Sequence, residues 1–264
     1  MLDNLTIILF RPKFPENVGG VARACANLGC SSLSLVAPRN WDPEKAKPMA
    51  TPQGEPILAR ARLFDDLPSA LTGHAAVWGT TARTGGWRRG IATPRAAAPE
   101  LVEGLGAGGV AVVFGPEDTG LTNEEIQLCG RLLTIPTTEE SSLNLAQAAL
   151  VILYECFVEA RERTYRDRSE GAAESVLAPS EDAPAGPDAA ARDADRPAAF
   201  EEREALMGAV REALLAIDYL KPDNPDYWML PVRRFFQRFP LRRREFNLLM
   251  GVCRQIRWAA RRDR

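Results

Sequence analysis

Short apolar runs alternate with amphipathic stretches over the first 165 residues of the chain. Runs of four to six residues of this kind are typical of strands that are buried on both faces of a parallel sheet. They predict five strands: Leu5–Phe10, Leu33–Val36, Ala75–Thr80, Val110–Phe114 and Leu132–Ile135. Apolar residues at helical spacing predict helices at Glu16–Leu28, Pro99–Leu105 and Leu143–Glu162. The alternation predicts an α/β domain with a mostly parallel sheet.

Composition divides the chain into three parts: 1–166, 167–199 and 200–264. The middle part is rich in Ala and Pro and has eight acidic residues against three basic ones, a net charge of −5. Because such a segment buries little apolar surface, we predict a disordered linker there. The last part is predicted to be helical. Within 233–264 there are eleven arginines and two acidic residues, a net charge of +9.

The whole chain has 33 basic and 35 acidic residues, so its net charge of −2 conceals this basic tail. A single histidine, His74, excludes a zinc site built on several histidines. Five scattered cysteines without a C-x-x-C pair argue against a disulfide framework and a zinc knuckle, so no metal site is predicted. The chain has no apolar run of about 18 residues and no secretory leader pattern, so we predict a cytoplasmic protein without membrane spans.

Polar or glycine-containing segments follow three of the predicted strands. They are residues 11–24 (RPKFPENVGGVARA), 114–126 (FGPEDTGLTNEEI) and 135–148 (IPTTEESSLNLAQA). Ligands of open α/β sheets bind beyond the carboxyl ends of the strands, which makes these segments candidates for a site. In the first segment, Gly19 and Gly20 predict a close approach by another backbone or a ligand.

Each segment taken alone also fits ordinary structure. Arg23 fits a solvated helix residue, and Ser142 and Asn144 fit helix caps. Residues 104–109 (GLGAGG) match a dinucleotide-binding fingerprint, but they follow a predicted helix and precede a strand, which is the reverse of the required context. We therefore interpret them as a flexible connection.

Together, in this order, the three segments closely resemble the signature motifs of the SPOUT-class RNA 2′-O-ribose methyltransferases, the TrmH/SpoU group. The helical extension, with residues 246–258 (FNLLMGVCRQIRW), resembles the TrmJ branch of that family, which methylates tRNA at position 32 of the anticodon loop. The resemblance implies an α/β fold with a C-terminal trefoil knot, which the residue pattern alone would not suggest because knots are very rare. It also implies a homodimer whose active site uses both subunits.

The resemblance further implies that the knot holds S-adenosylmethionine. The cofactor-binding residues would be Thr80, Thr81, Ala82, Gly115, Ile135, Ser142, Leu143 and Asn144. The catalytic residues would be Arg23, Asn17, Glu117, Ser142 and Asn144. Because a free arginine is almost always protonated, we expect Arg23 to orient the ribose 2′-hydroxyl and its phosphate and to stabilise the developing alkoxide. Glu117 could help to take the proton.

Residues 83–90 (RTGGWRRG) mix three arginines with a tryptophan, as RNA-facing loops do. Gly85 stands where the TrmJ branch often has an arginine. The predicted tRNA contacts are Arg11, Arg83, Arg88, Arg89, Arg233, Arg234, Arg243 and Arg254. In a simpler interpretation, residues 83–90 are a solvated turn and the tail is a helical hairpin that packs on a second copy.

Three other functions stay open at the level of sequence. The chain could methylate ribosomal RNA or another position of tRNA, because the core is shared across substrates. It could be a non-catalytic RNA-binding dimer, which the intact set of Asn17, Arg23, Glu117, Ser142 and Asn144 argues against. A nucleotide-binding metabolic enzyme is a third alternative, which the missing phosphate-loop motif and the basic tail oppose.

Overall fold

Seven parallel strands form one sheet at the centre of the N-terminal part of the chain. The strands are β1 (Leu5–Phe10), β2 (Ser32–Val36), β3 (Arg62–Phe64), β4 (Ala76–Thr80), β5 (Ile91–Ala92), β6 (Val110–Phe114) and β7 (Arg131–Leu133). Their spatial order is β3-β2-β1-β6-β4-β7-β5. Ile8 in β1 is paired with Ser34 of β2 and Val113 of β6. The predicted α/β class and parallel sheet are confirmed.

The structure is a computed structural model that describes residues 1–83, 85, 90–138, 143–174, 194–221, 223–237 and 241–262. Two compact units, Met1–Pro184 and Ala185–Arg264, divide the chain. The helices of the first unit are α1 (Pro15–Asn27), α2 (Pro43–Ala59), α3 (Leu67–Leu71), α4 (Pro94–Leu105), α5 (Asn123–Leu128) and α6 (Leu145–Glu174).

Two glycines let α1 pack closely against its neighbours. A Cβ on Gly19 would lie 2.0 Å from the carbonyl oxygen of Ala46 in α2, and one on Gly20 would lie 2.8 Å from the Cβ of Ala146 in α6. The predicted close approach at these glycines is confirmed. The groups that approach are a backbone carbonyl and an alanine methyl group of the protein itself.

The five predicted strands are all present, with bounds shifted by at most two residues. The pattern missed β3 and β5, which have three and two residues. It also missed α2, whose sequence contains Pro48, Pro52 and Pro56 and whose backbone leaves the helical region at Thr51 (φ 58°, ψ 167°). The trefoil knot stays a prediction, because residues 139–142 of the third motif lie outside the described residues.

The second unit is helical. Its helices are α7 (Phe200–Ala216), α8 (Pro225–Gln237) and α9 (Arg243–Arg262). They enclose a small core of Leu206, Met207, Leu220 and Met229. Residues just before α7 belong to this unit, since Ala198 N–H donates to Leu241 O at 2.8 Å and Arg243 N–H to Arg196 O at 2.9 Å.

The prediction of a disordered segment over 167–199 therefore needs correction at both ends. Helix α6 continues to Glu174, twelve residues beyond its predicted end at Glu162. Residues 194–199 are held by hydrogen bonds to the start of α9. Residues 175–193 of the predicted linker lie outside the described residues.

Acidic residues from earlier in the chain lie against several arginines of the basic tail. Arg233 pairs with Glu204, Arg243 with Glu202 at 3.3 Å, and Arg257 with Glu212 at 2.6 Å. The +9 charge of residues 233–264 thus overstates the positive charge that this part of the folded unit presents, because folding brings these acids to it.

All five cysteines are free and buried. Burial raises the pKa of the Cys129 and Cys156 thiols to about 12, so both stay protonated at neutral pH. Among the described helices, none has both the length and the apolar composition needed to cross a membrane.

Candidate active site

A cavity of about 280 Å³ lies at the carboxyl ends of β4, β6 and β7. Six of the eight predicted cofactor residues line its wall: Thr80, Thr81, Ala82, Gly115, Ile135 and Leu143. Ser142 lies outside the described residues, and Asn144 does not line the cavity. The loops after β4, β6 and β7 thus enclose one space, and the second and third motifs supply two of them.

The loop after β4 is tied to both neighbouring strands. Thr80 Oγ1 donates to Val113 O at 3.1 Å, and Thr81 N–H donates to Leu133 O at 2.9 Å. Arg83 Nη2 donates to Thr119 O at 2.6 Å, which joins this loop to the one after β6. The wall of the cavity is therefore fixed by hydrogen bonds within the protein.

The loop after β6 folds back onto its own strand at a glycine. A Cβ on Gly115 would lie 2.4 Å from the carbonyl carbon of Gly120 and from the backbone nitrogen of Leu121. Gly120 has a φ of 63°, a conformation that favours glycine. The loop ends at α5, where Thr122 and Glu125 form a capping box.

A chain of hydrogen bonds joins the three motifs beside this cavity. Asn144 Nδ2 donates to Asn17 Oδ1 at 2.8 Å, and Asn17 Nδ2 donates to Glu117 Oε1 at 2.8 Å. The other carboxylate oxygen, Oε2, accepts from the backbone N–H of Lys13 at 2.9 Å. Glu117 lines the cavity, so its carboxylate is held in one orientation at the cavity wall.

Asn144 has a structural role as well. Its Oδ1 accepts from the N–H of Ala146 at 2.8 Å, which caps the first turn of α6. Its own N–H donates to Gln147 Oε1 at 3.3 Å. The interpretation of Asn144 as a helix cap is confirmed, and the same side chain supplies the hydrogen bond to Asn17.

Arg23 lies apart from this chain of hydrogen bonds. It is exposed on α1, it does not line the cavity, and its guanidinium has no hydrogen-bond or ion-pair partner among the described residues. Six residues separate it from Asn17, which at about 100° per residue puts the two side chains on different faces of α1. The backbone of Arg23 is packed against Gly54 of α2, where a Cβ would lie 2.9 Å from Arg23 N.

The predicted RNA-binding arginines differ in their surroundings. Arg11 is exposed, and Arg83 is bonded to Thr119 as described. Arg88 and Arg89 lie outside the described residues. In the second unit, Arg233 and Arg243 form ion pairs with Glu204 and Glu202, and their contact with RNA stays a prediction. Arg234 and Arg254 are exposed.

Sequence reasoning missed an ionic cluster at the base of the β6 loop. Asp118 lies 3.2 Å from the guanidinium of Arg39 and 3.9 Å from the ammonium of Lys13. Asp118 stands next to Glu117 in the second motif, which is the signal that could have identified it. Arg39 stands in no motif, and its contact with Asp118 spans 79 residues.

Comparison with known proteins agrees with this geometry. Residues 4–154 match the SpoU rRNA Methylase family, and residues 201–264 match the family described as tRNA methyltransferase TrmJ, C-terminal domain. The chain therefore belongs to the SpoU methylase family.

Relatives that match over the full length define the branch. The tRNA (cytidine/uridine/adenosine-2′-O-)-methyltransferase TrmJ of Pseudomonas aeruginosa is 33% identical over 271 residues, covering 99% of this chain and 96% of that protein. The tRNA (cytidine/uridine-2′-O-)-methyltransferase TrmJ of Escherichia coli is 32% identical, covering 97% and 96%. The crystal structure of TrmJ from Z. mobilis ZM4 superposes with a TM-score of 0.72 at 30% identity, covering 95% of this chain and 98% of that one. Within the family, this chain belongs to the TrmJ branch.

Proposed function

We propose that this chain transfers a methyl group from S-adenosylmethionine to a ribose 2′-hydroxyl of tRNA, at position 32 of the anticodon loop. The observation that supports this most directly is the hydrogen-bonded chain from Asn144 through Asn17 to Glu117 at the wall of the cavity. The full-length relatives are named as tRNA 2′-O-methyltransferases, and the second unit matches the TrmJ C-terminal domain.

The cavity suits S-adenosylmethionine in its chemistry. Apolar side chains of Leu133, Ile135 and Leu143 offer surface for an adenine ring, and Thr80 and Thr81 stand at the end of the neighbouring strand β4. A volume of about 280 Å³ is close to the lower end of the ~300–1,000 Å³ that ligand pockets span. S-adenosylmethionine supplies an electrophilic methyl group, and the three loops would hold it.

Positioning is the main demand of this reaction, since the hydroxyl oxygen must lie in line with the methyl–sulfur bond. Glu117 meets this demand because Asn17 and the Lys13 backbone fix both carboxylate oxygens. We assign Glu117 the task of accepting the hydroxyl proton. Arg23 orients the hydroxyl and its phosphate and stabilises the developing alkoxide.

Since Arg23 lies on the outside of its own unit, this role requires a second copy of the chain. A homodimer in which Arg23 of one subunit reaches the cavity of its partner reconciles the exposed position of Arg23 with the proposed chemistry. The family resemblance implied such a shared site, and it stays a proposal. The cytoplasmic location is likewise a proposal.

Complementation tests the composite site. Arg23→Ala and Glu117→Gln proteins should each be nearly inactive on tRNA at saturating concentration. When the two are mixed and allowed to exchange subunits, part of the activity should return, because one site of each mixed dimer contains both native residues. Near-normal turnover by Arg23→Ala alone would refute its role, and an inactive mixture after proven exchange would refute the shared site.

The substrate class is tested by incubating the protein with methyl-labelled S-adenosylmethionine and either unmodified total tRNA or ribosomal RNA. We expect label in tRNA, recovered as a 2′-O-methylated nucleoside after digestion. Label in ribosomal RNA alone would favour the alternative substrate, and label on a base would refute ribose methylation.

Calorimetric titration with S-adenosylmethionine separates an enzyme from a non-catalytic RNA-binding dimer, which would show no binding.

A further inference from the structure

An exposed aromatic side chain lies beside the hydrogen-bonded residues Asn17, Glu117 and Asn144, here called the Glu117 cluster. Phe14 stands between β1 and α1 and is 48% exposed, whereas Phe10 at the end of β1 is 6% exposed. A single exposed apolar residue is common on protein surfaces and by itself indicates nothing. What distinguishes Phe14 is the rigidity of its backbone and the groups around it.

The loop of residues 11–14 is fixed at every residue. Arg11 N–H donates to Val36 O at 2.7 Å, Pro12 O accepts from Arg39 N–H at 3.1 Å, and Lys13 O accepts from Asn40 Nδ2 at 3.3 Å. Phe14 O accepts from Asn17 N–H at 3.1 Å at the start of α1. The backbone at Phe14 is therefore already ordered, which lowers the entropy cost of binding a ligand there.

Phe14 occupies the N-cap position of α1, where Ser, Thr, Asp or Asn is preferred because each can bond to the free N–H groups of the first turn. No side-chain cap is present on α1. Phe14 therefore supplies no capping hydrogen bond to α1, although its neighbours in the sequence contact Glu117. Lys13 bonds to Glu117 through its N–H, and Asn17 bonds to the same carboxylate.

One cation lies against the ring, and a second stands three residues earlier in the same loop. The Lys13 ammonium lies 5.4 Å from the centroid of the Phe14 ring, and the Arg11 guanidinium lies 4.9 Å from the centroid of the Phe10 ring. Arg11 is held exposed by a backbone in the left-handed region, with a φ of 49°. An exposed aromatic ring with cations in the same loop is an arrangement that binds single-stranded nucleic acid, since bases stack on the ring while cations bind phosphates.

We propose that Phe14 is a base-stacking subsite, on which an unpaired base of the RNA next to the methylated ribose stacks while Arg11 and Lys13 meet the adjoining phosphates. The inference rests on the proposed function, because it requires an RNA substrate at the Glu117 cluster. It assigns to Phe14 a binding and positioning role and leaves the methyl transfer itself to the groups already described.

Phe14→Leu removes the ring and keeps an apolar side chain, and Phe14→Tyr keeps a ring. Tyr165→Leu on α6 is a matched control, because Tyr165 is an aromatic residue that is 77% exposed elsewhere on the same unit. We expect Phe14→Leu to raise the KM for tRNA by about fivefold to a hundredfold, the range for loss of one stacked base. The kcat at saturating tRNA and the Kd for S-adenosylmethionine should not change, and both other variants should behave as the native protein.

A spectroscopic readout tests stacking directly. A tRNA with 2-aminopurine at the nucleotide beside the target ribose should change its fluorescence when the native protein or Phe14→Tyr binds, and not when Phe14→Leu binds at saturation. The slope of log Kd against log salt should be the same for Phe14→Leu and the native protein, because Phe14 neutralises no phosphate.

The outcomes separate the subsite from the proposed function. If the native protein methylates tRNA and Phe14→Leu has native KM and native fluorescence, the subsite is refuted and the function stands. A fall in kcat without a rise in KM also refutes it. If the native protein neither binds nor methylates tRNA, the function and the subsite fail together.

Discussion

At the scale of single residues, the site depends on one carboxylate with two fixed oxygens. Glu117 accepts from Asn17 through one oxygen and from the Lys13 backbone through the other. The resemblance identified Asn17, Glu117 and Asn144, but their contacts could not be predicted from the sequence, since they span 100 and 127 residues. The pairing of Asp118 with Arg39 was missed for the same reason.

The first prediction concerns Glu117→Gln. An amide has one acceptor oxygen, so its NH₂ group would face either Lys13 N–H or Asn17 Nδ2, and the side chain would turn away. We expect kcat for tRNA methylation to fall by about a hundredfold, as for loss of a general base. The Kd for S-adenosylmethionine should stay close to the native value by calorimetry.

Glu124→Gln provides the control for this variant. Glu124 is exposed at the start of α5, so the same change of charge there should leave kcat unaltered. Native activity in Glu117→Gln would show that the carboxylate takes no part in the reaction.

At the scale of elements, close helix packing determines where α1 presents its side chains. Gly19 allows the α2 carbonyl of Ala46 to approach, and Gly54 of α2 allows the backbone of Arg23 to approach in return. The glycines of α1 were visible in the sequence as a sign of close approach. Their partner α2 was not predicted, because three prolines and a break at Thr51 disrupt its helical pattern.

The second prediction compares two glycine-to-alanine substitutions in helices. Gly19→Ala would place a methyl group against the Ala46 carbonyl, and we expect the free energy of unfolding to fall by about 3 kcal/mol or more. Gly208→Ala in α7 meets no atom within 4 Å and should raise it by about 0.5–1 kcal/mol. Urea denaturation followed by circular dichroism measures both changes. A Gly19→Ala protein as stable as the native one would contradict the packing.

The third prediction concerns Glu202 in α7. The hydrogen bonds from the Arg196 guanidinium, together with those from the Ala199 backbone and the charge of Arg243, lower the pKa of Glu202 although burial raises it. A carboxyl whose pKa is lower in the folded state stabilises the fold above its unfolded pKa, and this contribution disappears as the pH falls through the folded pKa.

We therefore expect Glu202→Gln to be less stable than the native protein at pH 7, by about 1–3 kcal/mol for hydrogen bonds to a charged group. The difference should shrink as the pH falls through the lowered folded pKa of Glu202 and vanish below it. Thermal unfolding of both proteins across this pH range measures it. A difference that stays constant with pH would show that the charge of Glu202 contributes nothing to stability.

At the scale of the whole molecule, we assign catalysis to the first unit and tRNA binding to the second. The first contains the sheet, the cavity and the Glu117 cluster, and the second is a helical unit with exposed arginines such as Arg234 and Arg254. The composition of the sequence predicted this division into an α/β part and a basic helical part. It could not predict that acids of α7 pair with arginines of α8 and α9, because folding brings these residues together.

The fourth prediction concerns the second unit. Deletion of the chain after Arg166 should weaken tRNA binding much more than S-adenosylmethionine binding, because the cavity lies wholly in the first unit. For the intact chain, log Kd for tRNA should rise linearly with log salt. Filter binding measures the affinity for tRNA, and calorimetry measures the affinity for S-adenosylmethionine. Equal tRNA affinity with and without the second unit would contradict its role in RNA binding.

The central claim is that this site methylates one ribose hydroxyl of tRNA. Its most direct test compares two transcripts of the same tRNA, one native and one with a single 2′-deoxy nucleotide at position 32, using methyl-labelled S-adenosylmethionine. We expect label at nucleotide 32 of the native transcript and none in the 2′-deoxy transcript. Equal labelling of both transcripts would contradict it.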